Sequence, residues 1–334
     1  MTWLDPAPLV SMATAYWNSA TLIAAVKLGL FDAIDQGSTT IEEIAVSTNT
    51  NVVATDTLLV ALLALGLVER QDEKYQNSEL AQTYLVSGQP QSLGGALLYN
   101  ADVYPLWGQL AEVVQKGDTA KDPQAYLGGD LEKTKRFVYG MHHRALGVGR
   151  AVSAMIDLEG STYLADLGGG PGTYSALLTQ KYPDLKADVL DLPAVVEVSK
   201  EIMDNMRASG SVTCSAYDYY VDDLPAKAYD AVLISGVLHR EQPEMVQNIF
   251  KKVADRLPIG GTLWISDVML NNDRSGPLFS AMFALNMRVL AHDGRCHSVV
   301  EQSSWLQDLG FEVTHTKQLP PPINYTLICA KKIK

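Results

Sequence analysis

The sequence predicts an α/β protein in which a mainly helical N-terminal domain of winged-helix form precedes a doubly wound, Rossmann-like sheet of seven strands. From residue 162 onward, short apolar runs alternate with amphipathic helical segments, which is typical of a parallel doubly wound sheet. A glycine-rich turn joins the first of these strands to the first helix. The chain has 334 residues, 47% hydrophobic and 19% charged, enough for two domains with a large core.

The first 100 residues are predicted to form three helices and a hairpin. Residues 20–34 and 51–65 are apolar helical segments, and Thr39-Thr40 precedes a short helix as its cap. Residues 67–75 indicate two short strands about a polar turn. Three helices followed by a hairpin make a winged helix, and we assign residues 1–105 to it.

The charge distribution argues against nucleic acid as a partner of this domain. The net charge is −12, and residues 1–100 hold three basic groups (Lys27, Arg70 and Lys74) against ten acidic ones. A winged helix that reads DNA needs basic side chains on its recognition helix and wing, whereas residues 51–66 contain neither lysine nor arginine. We expect this apolar helix to pack against a second subunit, which would make the protein a homodimer.

Membrane and metal partners are not expected either. The longest apolar run, residues 58–68, is too short to cross a bilayer, and the N-terminus lacks the features of a signal peptide. The three cysteines (Cys214, Cys296 and Cys329) are scattered without a CxxC motif, as is typical of reduced thiols in a cytoplasmic protein. The sequence has no HExxH motif or cysteine cluster, and we predict no metal site.

The rest of the chain divides into a linker and the sheet. Residues 106–157 are predicted to be a helical linker that contributes to the substrate pocket, and residues 158–334 to be the catalytic domain. A helix is predicted at 244–257. The predicted strands are 163–167, 187–190, 212–215, 229–234, 261–268, 311–315 and 325–330. In such sheets, ligands bind at the carboxyl ends of the strands.

The glycine-rich turn carries the strongest functional signal. It reads Asp166-Leu-Gly-Gly-Gly-Pro-Gly172 and enters a helix predicted at 173–181. Glycines permit positive φ and close approach of a ligand, and a helix N-terminus favours a carboxylate. Nicotinamide enzymes also use a GxG turn. The acid before the first glycine, the mid-chain location, and a second acid, Asp191, 19 residues after Gly172 favour S-adenosylmethionine (SAM).

Further motifs follow this turn in a fixed order. They are Asp191-Leu-Pro193, Tyr217-Asp218-Tyr219, Ser235-Gly-Val-Leu-His239 and Gly260-Gly261. With the glycine turn, they resemble the class I SAM-dependent O-methyltransferases of the plant phenolic, hydroxyindole and bacterial polyketide-tailoring type, over nearly the whole chain. The resemblance implies a sheet of the class I methyltransferase type, an N-terminal dimerisation domain, SAM as cofactor and S-adenosylhomocysteine (SAH) as product.

The resemblance also implies roles for individual residues. Gly168, Gly170 and Gly172 would line the methionine part of SAM, with Asp166 beside them. Asp191 would hold the ribose. The adenine would lie among Leu192, Asp218 and Tyr219, with Ser235 as a further cofactor contact. The substrate pocket would include Met141, His142, Phe283, Asn286, Met287 and Leu290.

His239 is the predicted general base, because it follows the fourth strand and so lies beside the ligand cleft. A phenol has a pKa of about 10, and a neutral imidazole that takes its proton during the reaction contributes about 10²–10⁴-fold. In the resembled family this histidine belongs to a His-Asp-Trp segment and is oriented by two acids. Here Asp267 matches the first acid, but His239 is followed by Arg240-Glu241 and the second acid position holds Cys296.

These departures leave alternatives open. Either Asp267 alone positions His239, or Glu241 helps, or the base is weaker than usual; His292 is a further histidine within reach of the pocket. The predicted function is methylation of a hydroxyl, favoured as phenolic, on a small aromatic or polyketide-like metabolite. The alternatives are a SAM-binding relative with decarboxylase, hydroxylase or pericyclase chemistry, an NAD(P) oxidoreductase, and a transcriptional regulator.

Overall fold

The structure is a computed structural model that describes residues 4–89, 91–120, 127–291, 294–321 and 323–334. Its contacts divide the chain into two compact units, Met1–Asp102 and Val103–Lys334. The helix that crosses this boundary, α7, spans Gly94–Trp107. The predicted domain limits at residues 105 and 157 stay predictions.

The N-terminal unit is mainly helical, as predicted. The prediction of a single helix over residues 20–34 is wrong: Gly29 has a φ of +70° and separates two helices, because a left-handed residue ends a helix. The hairpin predicted within residues 67–75 is confirmed. The elements are α1 (Ala7–Thr14), α2 (Tyr16–Lys27), α3 (Leu30–Asp35), α4 (Ile41–Ser47), α5 (Val52–Ala64), β1 (Val68–Gln71), β2 (Lys74–Asn77) and α6 (Glu79–Tyr84).

Local sequence explains how these helices begin. Thr40 caps α4 through a capping box. The Thr40 side chain accepts from the Glu43 backbone N–H, and the Glu43 carboxylate accepts from the Thr40 backbone N–H. Asn51 caps α5 by accepting from the Ala54 N–H. The helices enclose one apolar core around side chains that include Phe31. The unit therefore has its own hydrophobic core.

The first two helices leave an apolar surface exposed. Residues Ala7–Lys27 form a helical stretch of 21 residues that is long and apolar enough to cross a membrane by length and composition, and 6% of its most apolar window is buried. The prediction of no membrane span considered only residues 58–68 and overlooked this stretch. A single such helix is weak support for a membrane protein. Leu9 and Trp17 are among its exposed side chains, which is typical of a surface that binds a partner.

The second unit begins with linker helices. After α7 come α8 (Leu110–Lys116) and α9 (Leu131–Met155), a helix of 25 residues. Asp130 caps α9 by accepting from the Lys133 N–H at 3.1 Å, which fixes where the helix begins. It packs against the first two helices that cover the sheet.

The sheet has seven strands, as predicted. Its order is β5-β4-β3-β6-β7-β9-β8. The first five of these strands are parallel, as the strand–helix alternation predicts, but β9 runs antiparallel to both of its neighbours, which that alternation did not predict. The reason is the short connection between the last two strands, which permits only a hairpin. The strands are β3 (Tyr163–Leu167), β4 (Lys186–Asp191), β5 (Val212–Ala216), β6 (Ala231–Ser235), β7 (Thr262–Asp267), β8 (Phe311–Gln318) and β9 (Thr326–Lys332).

Helices cover both faces of this sheet, and a separate apolar core lies on each. The strand order reverses between β3 and β6, which creates the crevice in which doubly wound sheets bind ligands. The helices are α10 (Thr173–Lys181), α11 (Pro193–Asn205), α12 (Pro243–Arg256), α13 (Leu278–Leu290) and α14 (Val299–Asp308). The predicted helices at 173–181 and 244–257 correspond to α10 and α12.

Candidate active site

The glycine turn has the conformation that its sequence predicts. Gly168, Gly170 and Gly172 have φ values of +64°, +53° and +72°. A Cβ added to Gly168 would lie 2.6 Å from a methyl carbon of Val237, and one added to Gly172 would lie 3.0 Å from Met203. The turn therefore needs glycine for backbone conformation at all three positions and for space at two of them.

Asp166 lies beneath this turn with an incompletely satisfied carboxylate. One of its oxygens accepts a bond of 2.6 Å from the Ser175 hydroxyl. The other is buried and has no hydrogen-bond partner among the described atoms. Burial raises the pKa of Asp166 to about 7, and the nearby charge of Asp191 adds to the rise. A cationic ligand group would favour the charged carboxylate at this position.

Asp191 ends β4 next to the turn. Its two carboxylate oxygens accept from the backbone N–H groups of Gly170 at 2.8 Å and Leu192 at 2.7 Å. Burial raises its pKa, while these two bonds and the charge of Arg240 oppose the rise. Each oxygen keeps a lone pair, so the group is able to accept further bonds from hydroxyls. Leu192, half-buried, is the N-cap residue of α11.

The segment after β5 brings Asp218 and Tyr219 to the same edge. Asp218 is half-buried, and its carboxylate accepts from the Tyr220 N–H at 2.9 Å. The Tyr219 hydroxyl donates to Glu241 at 2.6 Å, and the Tyr220 hydroxyl donates to the other oxygen of the same carboxylate. Glu241 is thus engaged by two tyrosines, which favours Asp267 alone as the group that orients His239.

His239 lies in a short 3₁₀ turn, Leu238–Arg240, just after β6. Its ring Nδ1 is hydrogen-bonded to Oδ1 of Asp267, and its backbone N–H donates to Oδ2 of Asp267 at 3.2 Å. The Arg295 N–H donates to the His239 carbonyl at 2.8 Å. The side chain is largely buried. Because Asp267 occupies Nδ1, Nε2 is the nitrogen left to exchange a proton with a ligand.

Cys296 supplies an apolar contact where a second acid was expected. It is fully buried against Val268 and Leu270. Burial raises the pKa of its thiol far above the usual range, and the charge of Asp267 adds to this. The thiol is therefore protonated at neutral pH and packs beside Asp267 as a small apolar group.

An aromatic group stands next to the imidazole. The Phe283 ring meets the His239 ring edge-on with centroids 4.8 Å apart, and Phe279 stacks on Phe283 at 6.0 Å. The Arg144 guanidinium lies 5.8 Å from the ring centroids of both Phe283 and Tyr325. Sequence reasoning missed Arg144 and Tyr325. The spacing could have found Arg144, because it lies three residues after Met141 on the same helix.

Two of the predicted site residues, His142 and Ser235, contact the start of α10. The His142 ring is hydrogen-bonded to the Thr173 hydroxyl at 2.8 Å. Burial lowers the pKa of His142 to about 4, helped by His143, so His142 is neutral at pH 7. Ser235 is hydrogen-bonded to the Tyr174 hydroxyl, whose pKa burial raises far above its usual value. Met141 is half-buried on α9.

The remaining predicted pocket residues share one face of α13 with Phe283. The Asn286 carbonyl accepts from the Trp107 indole at 2.9 Å, Met287 is buried and Leu290 is half-buried. The opposite face of α13 borders a cavity of about 500 Å³. That cavity is lined by Ala281, Ala284, Leu285 and Arg288 of α13 together with Gln242, Leu270, Arg274, Gly294, Arg295 and Cys296.

Two predictions concern residues or groups beyond this cluster. His292 lies outside the described residues, so its position is not compared. Within the described part of the chain, no group of three or more histidine, cysteine or acidic side chains is arranged to hold a metal ion. The site residues together form the edge of a cleft with a buried histidine–aspartate pair, a carboxylate oxygen without a hydrogen-bond partner among the described atoms and a glycine-rich turn.

Comparison with known protein families gives two matches. Residues 107–312 match the family described as "O-methyltransferase domain", and residues 10–87 match the family described as "O-methyltransferase dimerisation domain". The first match contains the glycine turn, Asp191, His239, Asp267 and α13. The second contains the exposed helix α2 and the hairpin.

Individual relatives match over nearly the whole chain. The 3-hydroxy-5-methyl-1-naphthoate 3-O-methyltransferase of Streptomyces sahachiroi is 32% identical over 321 residues, which cover 95% of this chain and 92% of the relative. The tetracenomycin polyketide synthesis 8-O-methyl transferase of Streptomyces glaucescens is 28% identical and covers 95% and 94%. The crystal structure of human N-acetylserotonin methyltransferase in complex with SAM superposes with a TM-score of 0.88, at 25% identity and full coverage of both chains.

Proposed function

The chain belongs to the family of SAM-dependent O-methyltransferases, and we propose that His239 is the general base with which it methylates an aromatic hydroxyl. This membership leaves no support for the hypotheses of an NAD(P) oxidoreductase or a transcriptional regulator. Over a non-methylating relative, methylation is favoured because the similar proteins are named as methyltransferases. The observation that carries the proposal is the pair of His239 and Asp267 beside Phe283 at the carboxyl edge of the sheet.

The residues of the cleft fit the cofactor. When bound, SAM supplies an electrophilic methyl group. The orphaned, buried oxygen of Asp166 suits the ammonium of the methionine part, and the N-terminus of α10 suits its carboxylate. Asp191 has lone pairs for ribose hydroxyls, and Leu192 and Tyr219 offer apolar surface for the adenine. We propose further cofactor contacts at the same edge of the sheet. Gly168, Gly170 and Gly172 would line the methionine part of SAM, Asp218 would lie by the adenine, and Ser235 would make a further contact.

The base acts through its second nitrogen. The Nδ1 proton is donated to Asp267, so Nε2 carries the free lone pair. The acceptor oxygen would bond to the methyl carbon as the carbon–sulfur bond of SAM breaks and SAH leaves with the electron pair. Nε2 of His239 would take the proton of the hydroxyl, and Asp267 would stabilise the imidazolium that forms. The imidazolium then releases the proton to solvent. Burial of the pair strengthens its electrostatic interaction, because little water screens it.

The proposed acceptor is a small aromatic or polyketide-like compound. The relatives are named for a hydroxynaphthoate and for tetracenomycin. In this chain, the stacked rings of Phe279 and Phe283 provide a flat apolar surface next to the base. Aromatic acceptors stack on such surfaces. Met141, His142, Asn286, Met287 and Leu290 are proposed to complete the pocket.

The proposed assembly is a homodimer in the cytoplasm. The N-terminal match to a dimerisation family and the exposed apolar side chains of α1 and α2 support the contact. Light scattering is expected to give about twice the chain mass of 36.3 kDa. A monomer at micromolar concentration would contradict this proposal.

Replacement of the base tests the proposed function. His239→Gln is expected to lower kcat for a phenolic acceptor by about 10²–10⁴-fold, measured as SAH release, and to leave the Kd for SAM within about threefold. His315→Gln is the matched control, because His315 is an exposed histidine on β8 far along the chain from the motifs. A kcat within a few-fold of wild type in His239→Gln would show that another group is the base.

A further inference from the structure

Arg144 is an arginine close to two aromatic rings. It lies on α9, half-buried, with its guanidinium carbon 5.8 Å from the ring centroids of Phe283 and Tyr325. A cation–π contact uses the charge of a guanidinium and leaves its forked N–H groups available as donors. The two rings therefore contact Arg144 without occupying its hydrogen-bond donors.

No carboxylate neutralises this cation within the described residues. Two acids near α9 are already engaged, because Asp130 pairs with Lys133 and Glu201 pairs with Lys135. Arg144 thus keeps the capacity for a bidentate bond to a planar anion.

Phe283 connects this cation to the base. The same ring that lies beside the guanidinium also meets the His239 imidazole edge-on at 4.8 Å. An acceptor that stacks on Phe283 with its hydroxyl at His239 would therefore extend toward Arg144. A carboxylate on the far side of a one-ring or two-ring acceptor would then meet the guanidinium fork.

From this arrangement we propose that Arg144 binds a carboxylate of the acceptor, so that the preferred substrates are hydroxyaryl carboxylic acids. The inference rests on the proposed function and narrows its substrate class. The Streptomyces sahachiroi relative is named for a hydroxynaphthoate, which is a hydroxyaryl carboxylate, and this agrees with the proposal. The methionine part of SAM also carries a carboxylate, which we place at the N-terminus of α10. Arg144 lies near this helix, because its charge acts on Tyr174 of α10. Binding of the acceptor and binding of the cofactor therefore need separate measurements.

Binding of a ligand that cannot be methylated tests the site independently of turnover. The probes are 1-naphthoate and 1-naphthamide, each titrated calorimetrically into the enzyme–SAH complex. We expect the wild-type enzyme to bind naphthoate at least about tenfold more tightly than naphthamide, because bonds between charged groups exceed neutral ones. Arg144→Met should abolish that preference, and Arg144→Lys should keep part of it, since lysine retains the charge without the fork.

Arg150→Met is the matched control, because Arg150 is an exposed arginine on the same helix and should leave the preference intact. The Kd for SAH is measured in each variant and is expected to stay within about threefold of wild type. Equal or undetectable binding of both probes by the wild-type enzyme would overturn the inference. A retained preference with at least tenfold weaker SAH binding in Arg144→Met would assign the arginine to the cofactor and overturn it as well.

The two proposals fail separately. A wild-type enzyme that shows the Arg144-dependent preference but releases no SAH with hydroxynaphthoates would refute the proposed function and leave the anion site standing. If the kcat/KM values for neutral naphthols and for hydroxynaphthoates lie within threefold of each other, the proposed function would stand and the preference for acids would be refuted.

Discussion

Asp267→Asn tests how the base is held in its reactive state. Oδ1 of Asp267 accepts from the His239 ring and from the Val268 N–H, the latter at 2.7 Å, while Oδ2 accepts from the His239 backbone N–H at 3.2 Å. An amide has a single accepting oxygen. In the variant, one side of the amide must therefore present its NH₂ group to an N–H donor.

The geometry decides which side loses its bond. We expect the oxygen to stay at the Oδ1 position, where it satisfies two donors instead of one. The unsatisfied His239 backbone N–H then costs about 1–3 kcal/mol of stability, but the imidazole keeps its proton on Nδ1 and its lone pair on Nε2. The loss in catalysis comes from the missing charge, about 1.5–3 kcal/mol for a charge-assisted bond. This corresponds to a fall in kcat of about 10–100-fold.

The assay is SAH release at saturating SAM and phenolic acceptor, with the Kd for SAM measured alongside by calorimetry. Asp230→Asn is the matched control. The Asp230 carboxylate also accepts backbone bonds, from Thr162 at 2.7 Å and Tyr163 at 3.1 Å, but it precedes β6 at the opposite edge of the sheet from His239. This control is expected to lower the free energy of unfolding and to leave kcat within twofold.

Two results would refute the reasoning about Asp267. A fall in kcat as large as that of His239→Gln would mean that the amide has reversed and placed the proton on Nε2. A kcat within twofold of wild type would mean that the charge of Asp267 does not assist the base. In the second case, the weaker-base alternative left open by Cys296 would be the better account.

Two further predictions concern the glycine turn. Gly168→Ala is expected to destabilise the chain by about 2–4 kcal/mol, since its φ is +64° and its Cβ would lie 2.6 Å from Val237; Gly170→Ala, with open space around it, should cost only about 1 kcal/mol. Equal losses in chemical denaturation would contradict the packing argument. Asp166→Asn is expected to stabilise the SAM-free enzyme at pH 8 but not at pH 4, by up to about 4 kcal/mol. Because burial raises the Asp166 pKa from 3.8 to about 7, the wild-type free energy of unfolding falls as pH rises through that window. In Asp166→Asn, the free energy of unfolding should not fall in this way when it is measured by denaturation across the same pH range. A variant with the pH dependence of the wild type would contradict the prediction.

The order and type of most elements follow from the sequence alone. Strand and helix patterns are local: they depend on the spacing of apolar residues within one segment, and α10, β3 and β4 lie where that spacing predicts them. The glycine turn is local too, because positive φ at Gly168, Gly170 and Gly172 is a property of those residues themselves. Acids at the carboxyl ends of predicted strands must lie at the carboxyl edge of the sheet, so the positions of Asp191 and Asp267 were also foreseeable.

Other features depend on contacts between distant segments. The break at Gly29 and the antiparallel direction of β9 were not predicted, because apolar composition alone neither tells one helix from two nor fixes the direction of a strand. Glu241 was considered as a group that helps to position His239, and its carboxylate instead accepts hydrogen bonds from Tyr219 and Tyr220. These tyrosines lie about twenty residues earlier, and nothing in the local sequence links them to Glu241.

The sequence by itself determined the fold class, the cofactor turn and the histidine, because each is written in consecutive residues or in motifs of fixed order. The tertiary structure alone decided which ring contacts that histidine and which cation lies behind the ring. Phe283 and Arg144 come from separate elements, and only the packing of α13 and α9 brings Phe283 into contact with His239 and Arg144 close to Phe283. Side-chain partnership at this distance along the chain is set by how buried surfaces fit together. For that reason, the choice of acceptor belongs to the folded protein and not to any one motif.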